Sequence, residues 1–196
     1  MEDLRRALLR LGVVNLAFTH FVAAVLNEQG FKAECGVAVP GACATHDLDV
    51  VAQQTCKTYA IKTVFLPEHG QLVTLQEVLA AYATYLDLLD GADVQACPHF
   101  DEYWLVTNGV FSPEAVAYAS HKGLRLIDGD QLVSMLTAMT YPVTAISGLT
   151  DIEFAALAEA NVLLAKHLTD HEVELMSHRT GLAQSRIAEL IEQIQN

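Results

Sequence analysis

Asp47 and Asp49 stand two residues apart in the run His46 to Gln53, and Ala60 and Lys62 are spaced the same way in the run Thr58 to Phe65. Both runs have strand composition, and side chains two apart on a strand leave the same face, so the two pairs are placed to meet across a hairpin. Carboxylates at the end of one strand, with a lysine on its partner, suit metal-dependent phosphodiester hydrolysis. Oxygen ligands hold a hard cation such as Mg²⁺, the cation activates and orients a water, and the lysine stabilises the developing charge. Asp49 and Asp47 are the candidate metal ligands, and Asp49, Lys62 and Asp47 the candidate catalytic set. A plainer reading of the same residues is a partly buried Asp49–Lys62 ion pair that satisfies two charges within the sheet.

The elements that must position these residues read clearly. Leu16, Phe21, Val22, Val25 and Leu26 recur at helical spacing and stop at Gly30, which predicts a helix over about 13–29. Phe31 to Val39, His46 to Gln53 and Thr58 to Phe65 follow as three consecutive strands, expected to be antiparallel and separated by Pro40-Gly41 and the polar Gln54 to Lys57. Thr74-Leu-Gln-Glu77 is a capping box that starts a helix to about Leu89, with Asp90-Gly91 as its end. Tyr103 to Thr107 is a buried type of strand, Ser112-Pro113 starts a helix, Gly123 to Ile127 is a strand, and Asp130 begins a short helix. The last two strands, joined by a helix, are expected to run parallel. Thr150-Asp-Ile-Glu153 opens a helix to about Leu168, Thr169-Asp-His-Glu172 another, and a closing helix starts near Gln184 after the Thr180-Gly181-Leu182 turn. The fold class is therefore α/β, a mixed central sheet flanked by helices over 1–140, with a helical extension over 141–196.

Composition limits the partners. With 52% hydrophobic residues in 196, the chain can bury a sizeable core, and no run approaches the ~18 apolar residues of a transmembrane helix. No membrane association is expected. Leu11 to Leu26, after Arg5, Arg6 and Arg10, is broken by Asn15, Thr19 and His20 and does not form a signal-peptide core. Cys35, Cys43, Cys56 and Cys97 form no C-x-x-C pair, which reads as free thiols in a reducing cytoplasm. The formal net charge is −13, and no Lys or Arg lies between Lys62 and Lys122. Such a surface opposes a phosphate backbone, which proteins bind through Lys and Arg, so DNA is disfavoured as a partner by charge.

Several segments, taken in order, resemble the PD-(D/E)XK superfamily, particularly the Mrr-type and ATP-cone-associated restriction endonuclease-like proteins, over residues 15–165. They are Gly30-Phe31, Cys43-Ala-Thr-His-Asp-Leu-Asp-Val-Val-Ala52, Tyr59-Ala-Ile-Lys62, Trp104-Leu-Val-Thr-Asn108, Phe111-Ser-Pro-Glu-Ala115, Gly123-Leu-Arg-Leu-Ile127 and Tyr141-Pro-Val-Thr144. The resemblance implies a restriction-endonuclease-like core, Mg²⁺ as cofactor and endonuclease action on DNA in restriction or repair. Asp49 matches the metal-binding aspartate, His46 and Asp47 the two residues before it, and Lys62 the lysine of the E-x-K element. The glutamate of that element falls on Ala60, and the glutamate of the first helix falls near Thr19. Glu77 or Asp47 would have to substitute for them.

Three functions follow as expectations. The first is a Mg²⁺-dependent endodeoxyribonuclease weakened by the loss at Ala60. The second is an inactive pseudonuclease that binds a protein, dimerises or regulates, a homodimer being the expected state. The third is an acidic chain that mimics DNA or binds a basic partner. Other features read as structural. His167 and His171, four apart, are expected to be surface histidines separated by a cap at Thr169. Thr107-Asn108-Gly109 is a turn, and the hairpin with Arg179 and Arg186 a packing or dimerising element.

Overall fold

The computed structural model describes residues 2–137 and 140–195. Its strands are β1 (Lys32–Pro40), β2 (Thr45–Gln54), β3 (Lys57–Val64), β4 (Leu72–Val73), β5 (Glu102–Thr107), β6 (Val110–Phe111) and β7 (Arg125–Ile127). The helices are α1 (Glu2–Arg10), α2 (Ala17–Glu28), α3 (Leu75–Asp93), α4 (Pro113–Lys122), α5 (Gly129–Ser134), α6 (Asp151–Glu159), α7 (Ala165–Thr169), α8 (Val173–Thr180) and α9 (Gln184–Gln195). The main sheet has the order β1-β2-β3-β5-β7, with β1·β2 and β2·β3 antiparallel and β3·β5 and β5·β7 parallel. The expected mixed sheet flanked by helices is the one observed. The two-residue strands β4 and β6 pair in parallel as a separate ribbon that the sequence patterning does not reveal.

Each face of the sheet carries its own core. Val50, Ala52, Tyr59, Ile61, Trp104, Val106 and Ile127 pack with α1, α2 and the C-terminal helices. Ala60, Tyr103 and Leu105 pack with Val78, Ala81 and Leu88 of α3 and Ala115 and Ala119 of α4. The central strands are apolar on both faces because both faces are covered.

Four boundaries differ from expectation for local physical reasons. The predicted helix over 13–29 is shorter and is preceded by α1 and a 3₁₀ turn over Leu11–Val13, with Leu16 in the left-handed region at its N-cap. Helix α3 runs through Gly91 to Asp93, because Gly91 lies against the Gly41 backbone. A Cβ there would meet Gly41 Cα at 2.9 Å. Glycine is used for close approach at this point and does not act as a stop. The helix expected from Thr150 to Leu168 is two, α6 and α7. Thr169 is the last residue of α7 and gives its hydroxyl to the Lys166 carbonyl, and α8 begins after Glu172, which makes no side-chain cap.

Candidate functional site

β2 and β3 share a ladder from Gln54·Lys57 to Val50·Ile61. Beyond it β3 continues beside β5 to the Val64·Thr107 pair. At the mouth of this fork the alternation of β2 is interrupted. Leu48 packs in the α3-side core, while Val50, two residues on, packs in the α2-side core. Neighbouring β1 changes faces at the same level, with Cys35 on one core, Val37 on the other, and Gly36 between them at φ +66°. Asp49 sits at the change. Strict alternation puts Asp47 and Asp49 on one face, and this kink separates them.

Asp49 turns its carboxylate into the fork. Its Oδ2 accepts the Thr63 N–H at 2.7 Å and the Thr63 hydroxyl at 3.0 Å. Lys62 Nζ lies 3.1 Å from both oxygens. Thr63 has one hydroxyl proton and gives it to Asp49, so the 2.6 Å contact between Thr63 Oγ1 and Thr19 Oγ1 must use the proton of Thr19. The result is a relay from Thr19 on α2 through Thr63 to Asp49. Asp49 is 20% exposed at its side chain and Lys62 47%. The ion pair is thus wet on the lysine side and enclosed on the aspartate side. Burial, and after it the negative charge of Asp49, raises the Tyr103 phenol well above its ordinary value, and the same two causes raise the Cys35 thiol.

Lys62 projects into a cleft of about 230 Å³, lined also by His46, Asp47, Glu77, Thr84 and Tyr103. Asp47 is exposed there. Glu77 accepts the Thr74 N–H at 2.9 Å and the Thr74 hydroxyl, which holds its carboxyl below the usual range. The carboxylate considered as a substitute ligand is therefore committed to capping α3. His46 donates toward Asp87 of α3 at 2.7 Å. Asp87 also accepts the N–H groups of Cys43 at 2.8 Å and Ala44 at 3.2 Å. The His46 bond is the main cause, and the Cys43 and Ala44 bonds add to it, of a carboxyl pushed down to about 2. Asp87, which sequence reasoning missed, clamps the β1–β2 turn to α3. Its signal was an aspartate on the inward side of a helix.

The positions at which the family places carboxylates can now be tested. Ala60 pairs with Val51 and Tyr103 and is fully buried among Val78, Tyr103 and Leu105. Thr19 occupies the helix position and reaches Asp49 through Thr63. Among the described residues, no three His, Cys, Asp or Glu side chains come together as a metal site. With Asp49 already bonded to three donors, the residues present do not fit a Mg²⁺ ion, which needs several oxygens in near-octahedral array.

The remaining candidates resolve as structure. Asn108 accepts the Leu66 N–H at 2.7 Å and donates to the Leu66 carbonyl at 2.8 Å, a two-point clamp after β5. His171 is exposed, but His167 is half-buried and takes the Leu163 N–H on Nδ1 at 3.4 Å. Its surface assignment is corrected, and burial lowers its basicity. Arg186 binds Glu153 at 2.7 Å and the Gly148 carbonyl at 2.7 Å, and Arg179 the Ala160 carbonyl at 2.8 Å, so both arginines pin the tail to itself.

A kinked aspartate-bearing strand hairpinned to a lysine-bearing strand, inside a mixed sheet with helices on both faces, defines the class. The chain belongs to the restriction endonuclease family, whose Mrr catalytic-domain model matches residues 13–136. Residues 141–196 match a second model, described as AF1548-like, C-terminal. An "Uncharacterized protein" of Archaeoglobus fulgidus is 33% identical over 107 residues, 54% of this chain and 56% of that protein. The chain thus matches that curated relative over about half its length. A crystal structure of a "Protein of Unknown Function AF1548" superposes with a TM-score of 0.75 at 25% identity, covering 95% of this chain and 96% of that one. The MspJI restriction endonuclease, solved in complex with a 27-mer oligonucleotide, aligns with a TM-score of 0.41 at 12% identity over 89% of this chain and 35% of that one.

Proposed function

We propose that this chain is a pseudonuclease, a restriction-endonuclease fold whose former catalytic fork is a structural junction and whose role is to bind a protein. The observation that carries this reading is the state of Asp49. Its carboxylate is bonded to Thr63 and Lys62, while the family's second carboxylate position, Ala60, is an alkyl group sealed in the core. A water-activating cation would have to displace all three donors, Lys62 and the Thr63 N–H and hydroxyl, and would gain one carboxylate for it.

Charge supports the same reading. At least seven of the eleven Lys and Arg side chains are paired with carboxylates: Arg5, Arg10, Lys32, Lys57, Lys62, Lys166 and Arg186. Cations already neutralised have little to offer a phosphate backbone. No helix among the described residues is long and apolar enough to cross a membrane, and the four cysteines are free, in keeping with the reducing cytoplasm we assign to the protein.

A second reading keeps the metal. Asp47, Glu77 and Lys62 line one cleft, and a Mg²⁺-dependent nuclease would have to draw its ligands from there and from Asp49. Calorimetric titration of Mg²⁺ and Mn²⁺ into the natural chain and Asp49→Ala, with plasmid cleavage on the same samples, separates the two. We expect neither binding nor cleavage in either protein. Asp49-dependent binding with cleavage by the natural chain overturns the pseudonuclease and establishes the second reading. Ala60→Glu, which places a carboxylate among Val78, Tyr103 and Leu105, is read together with its urea midpoint so that loss of fold is not mistaken for loss of chemistry.

A further inference from the structure

Tyr103 on β5 is 2% exposed, and its ring packs on Tyr85 with centroids 5.7 Å apart, yet its hydroxyl has no hydrogen-bond partner among the described residues. A phenol carried this deep normally bonds something. No fully buried side-chain nitrogen or oxygen among those residues lacks a partner, so the Tyr103 oxygen is not sealed in the core and opens onto the cleft that Tyr103 lines. Burial first, and the charge of Asp49 after it, hold its proton in place, so the oxygen is free to accept one bond and donate another.

The groups around that hydroxyl are acceptors. Asp47 of β2 is exposed and is in no ion pair or side-chain hydrogen bond among the described residues. The bonds of Glu77 to Thr74 both fall on Oε2 and leave Oε1 to a further donor. Lys62 lies 3.1 Å from both oxygens of Asp49, where its charge is compensated. The sequence has no Lys or Arg from 63 to 121, so neither α3 nor β5 brings a cation to Asp47 and Glu77. The cleft walls beside these acceptors, Leu48, Val64 and Ala80, are apolar.

We propose that this cleft is a binding site for a guanidinium group, the arginine side chain of a protein partner. The proposal rests on the pseudonuclease reading and names the chemistry of its partner. Arginine answers both halves of the cleft. Its methylene stem suits the apolar walls, and its planar head spreads five donors and no acceptor, enough to reach carboxylates on β2 and α3 and the phenol of β5 together. A lysine ammonium concentrates its donors at one point, and an anion would face two uncompensated carboxylates. The Tyr103 hydroxyl, unbonded in the free chain, gains its bond only when the site is filled.

Titration of the ¹⁵N-labelled full chain with N-acetyl-arginine methylamide, followed by amide chemical shifts, tests this, with N-acetyl-citrulline methylamide and inorganic phosphate as comparison probes. The arginine probe is expected to shift Asp47, Lys62, Glu77 and Tyr103 saturably, with a dissociation constant on the order of 1 mM, and citrulline, which has the shape without the charge, to bind about tenfold more weakly. Asp47→Asn should weaken the arginine probe about tenfold, and Tyr103→Phe about threefold, the latter with a urea midpoint unchanged or higher. Lys62→Met should tighten it, because the ligand is a cation. Asp93→Asn removes the same charge at the far end of α3, on an exposed residue, and should change binding by less than about twofold. Absence of saturable shifts with arginine overturns the proposal, as do equal binding of citrulline, a weaker arginine complex in Lys62→Met, or phosphate shifting the same amides in place of arginine. L-Arginine with free termini binding more tightly than the blocked form overturns the protein source in favour of a small molecule. If Mg²⁺ shifts these amides and arginine does not, the pseudonuclease reading falls as well; if neither does, the arginine site alone falls.

Discussion

At the scale of single residues, the fork is held by the hydroxyls of Thr19 and Thr63. Thr19 and Thr63 are short neutral donors, and together with Lys62 they satisfy one carboxylate, Asp49, between two strands. A shared hydroxyl chain makes its members interdependent. Thr19→Val keeps volume and removes the outer donor, and it should cost about 1 kcal/mol, while Thr63→Val, which also takes a hydrogen bond from Asp49, should cost about 1–3 kcal/mol. The double substitution is expected to cost less than the sum of the two. Urea unfolding of the four proteins in the cycle measures the coupling, and strictly additive losses would show that the relay does not act as a unit.

Among the elements, α3 and α6 are fixed to their surroundings by carboxylates held in the ionised form. Asp87 ties α3 to the β1–β2 turn through His46 and the Cys43 and Ala44 amides. Glu153 closes the capping box of α6 with Thr150 and binds Arg186 of α9, and the Arg186 guanidinium is the chief reason its carboxyl lies at about 2, below the ordinary 4.5. A folded-state value below the unfolded one contributes stability that is complete above the unfolded value and is lost as pH falls through the folded one. The part of the thermal midpoint that these two carboxylates supply should therefore be flat above pH 4.5 and decline from there toward about 2, where Asp87 also titrates, below the separate loss that His167 brings as pH falls under its ordinary 6.5. Arg186→Met should lower the midpoint near neutrality and make the acid decline shallower, because Glu153 then titrates nearer its ordinary value. An acid profile identical to that of the natural chain would mean that the Arg186–Glu153 pair does not contribute.

Over the whole molecule, α1 is the unexpected part. It lies outside both family matches, which span 13–136 and 141–196, yet it joins what they describe. Arg5 pairs with Asp130 of α5. Arg10 donates to the Thr144 and Leu149 carbonyls, and Thr144 returns a hydroxyl to the Ala7 carbonyl at 2.7 Å. Leu8 and Leu11 are fully buried in the same cluster as Val50 and Ile61 of the sheet and Phe154, Leu157 and Ile187 of the tail. Residues 138 and 139, just before the division expected at 140, lie outside the described residues. Leu8→Ala should cost about 2–5 kcal/mol and leave one cooperative transition, since a single core runs through both parts. Two separate transitions, with only the later-numbered helices affected, would show instead that the tail unfolds independently.

Much of this was determined by local sequence. The three antiparallel strands, the capping boxes at Thr74 and Thr150, the Ser112-Pro113 helix start and the parallel placement of β5 and β7 follow from periodicity, caps and connection length, which act over a few residues. The Asp49–Lys62 pairing was legible too, because hairpin partners are neighbours in sequence. What lay beyond the sequence depends on contacts between distant segments. The kink at Gly36 and Asp49 breaks the strict alternation that had placed Asp47 and Asp49 together, and Thr19 meets Thr63 only because α2 crosses the sheet at that point. Gly91 looked like a helix end until Gly41 was seen packed against it. Amphipathic α1 likewise has no partner in its own neighbourhood. Tertiary packing decided these points because each depends on which surfaces bury one another, and the energy of burial is indifferent to distance along the chain.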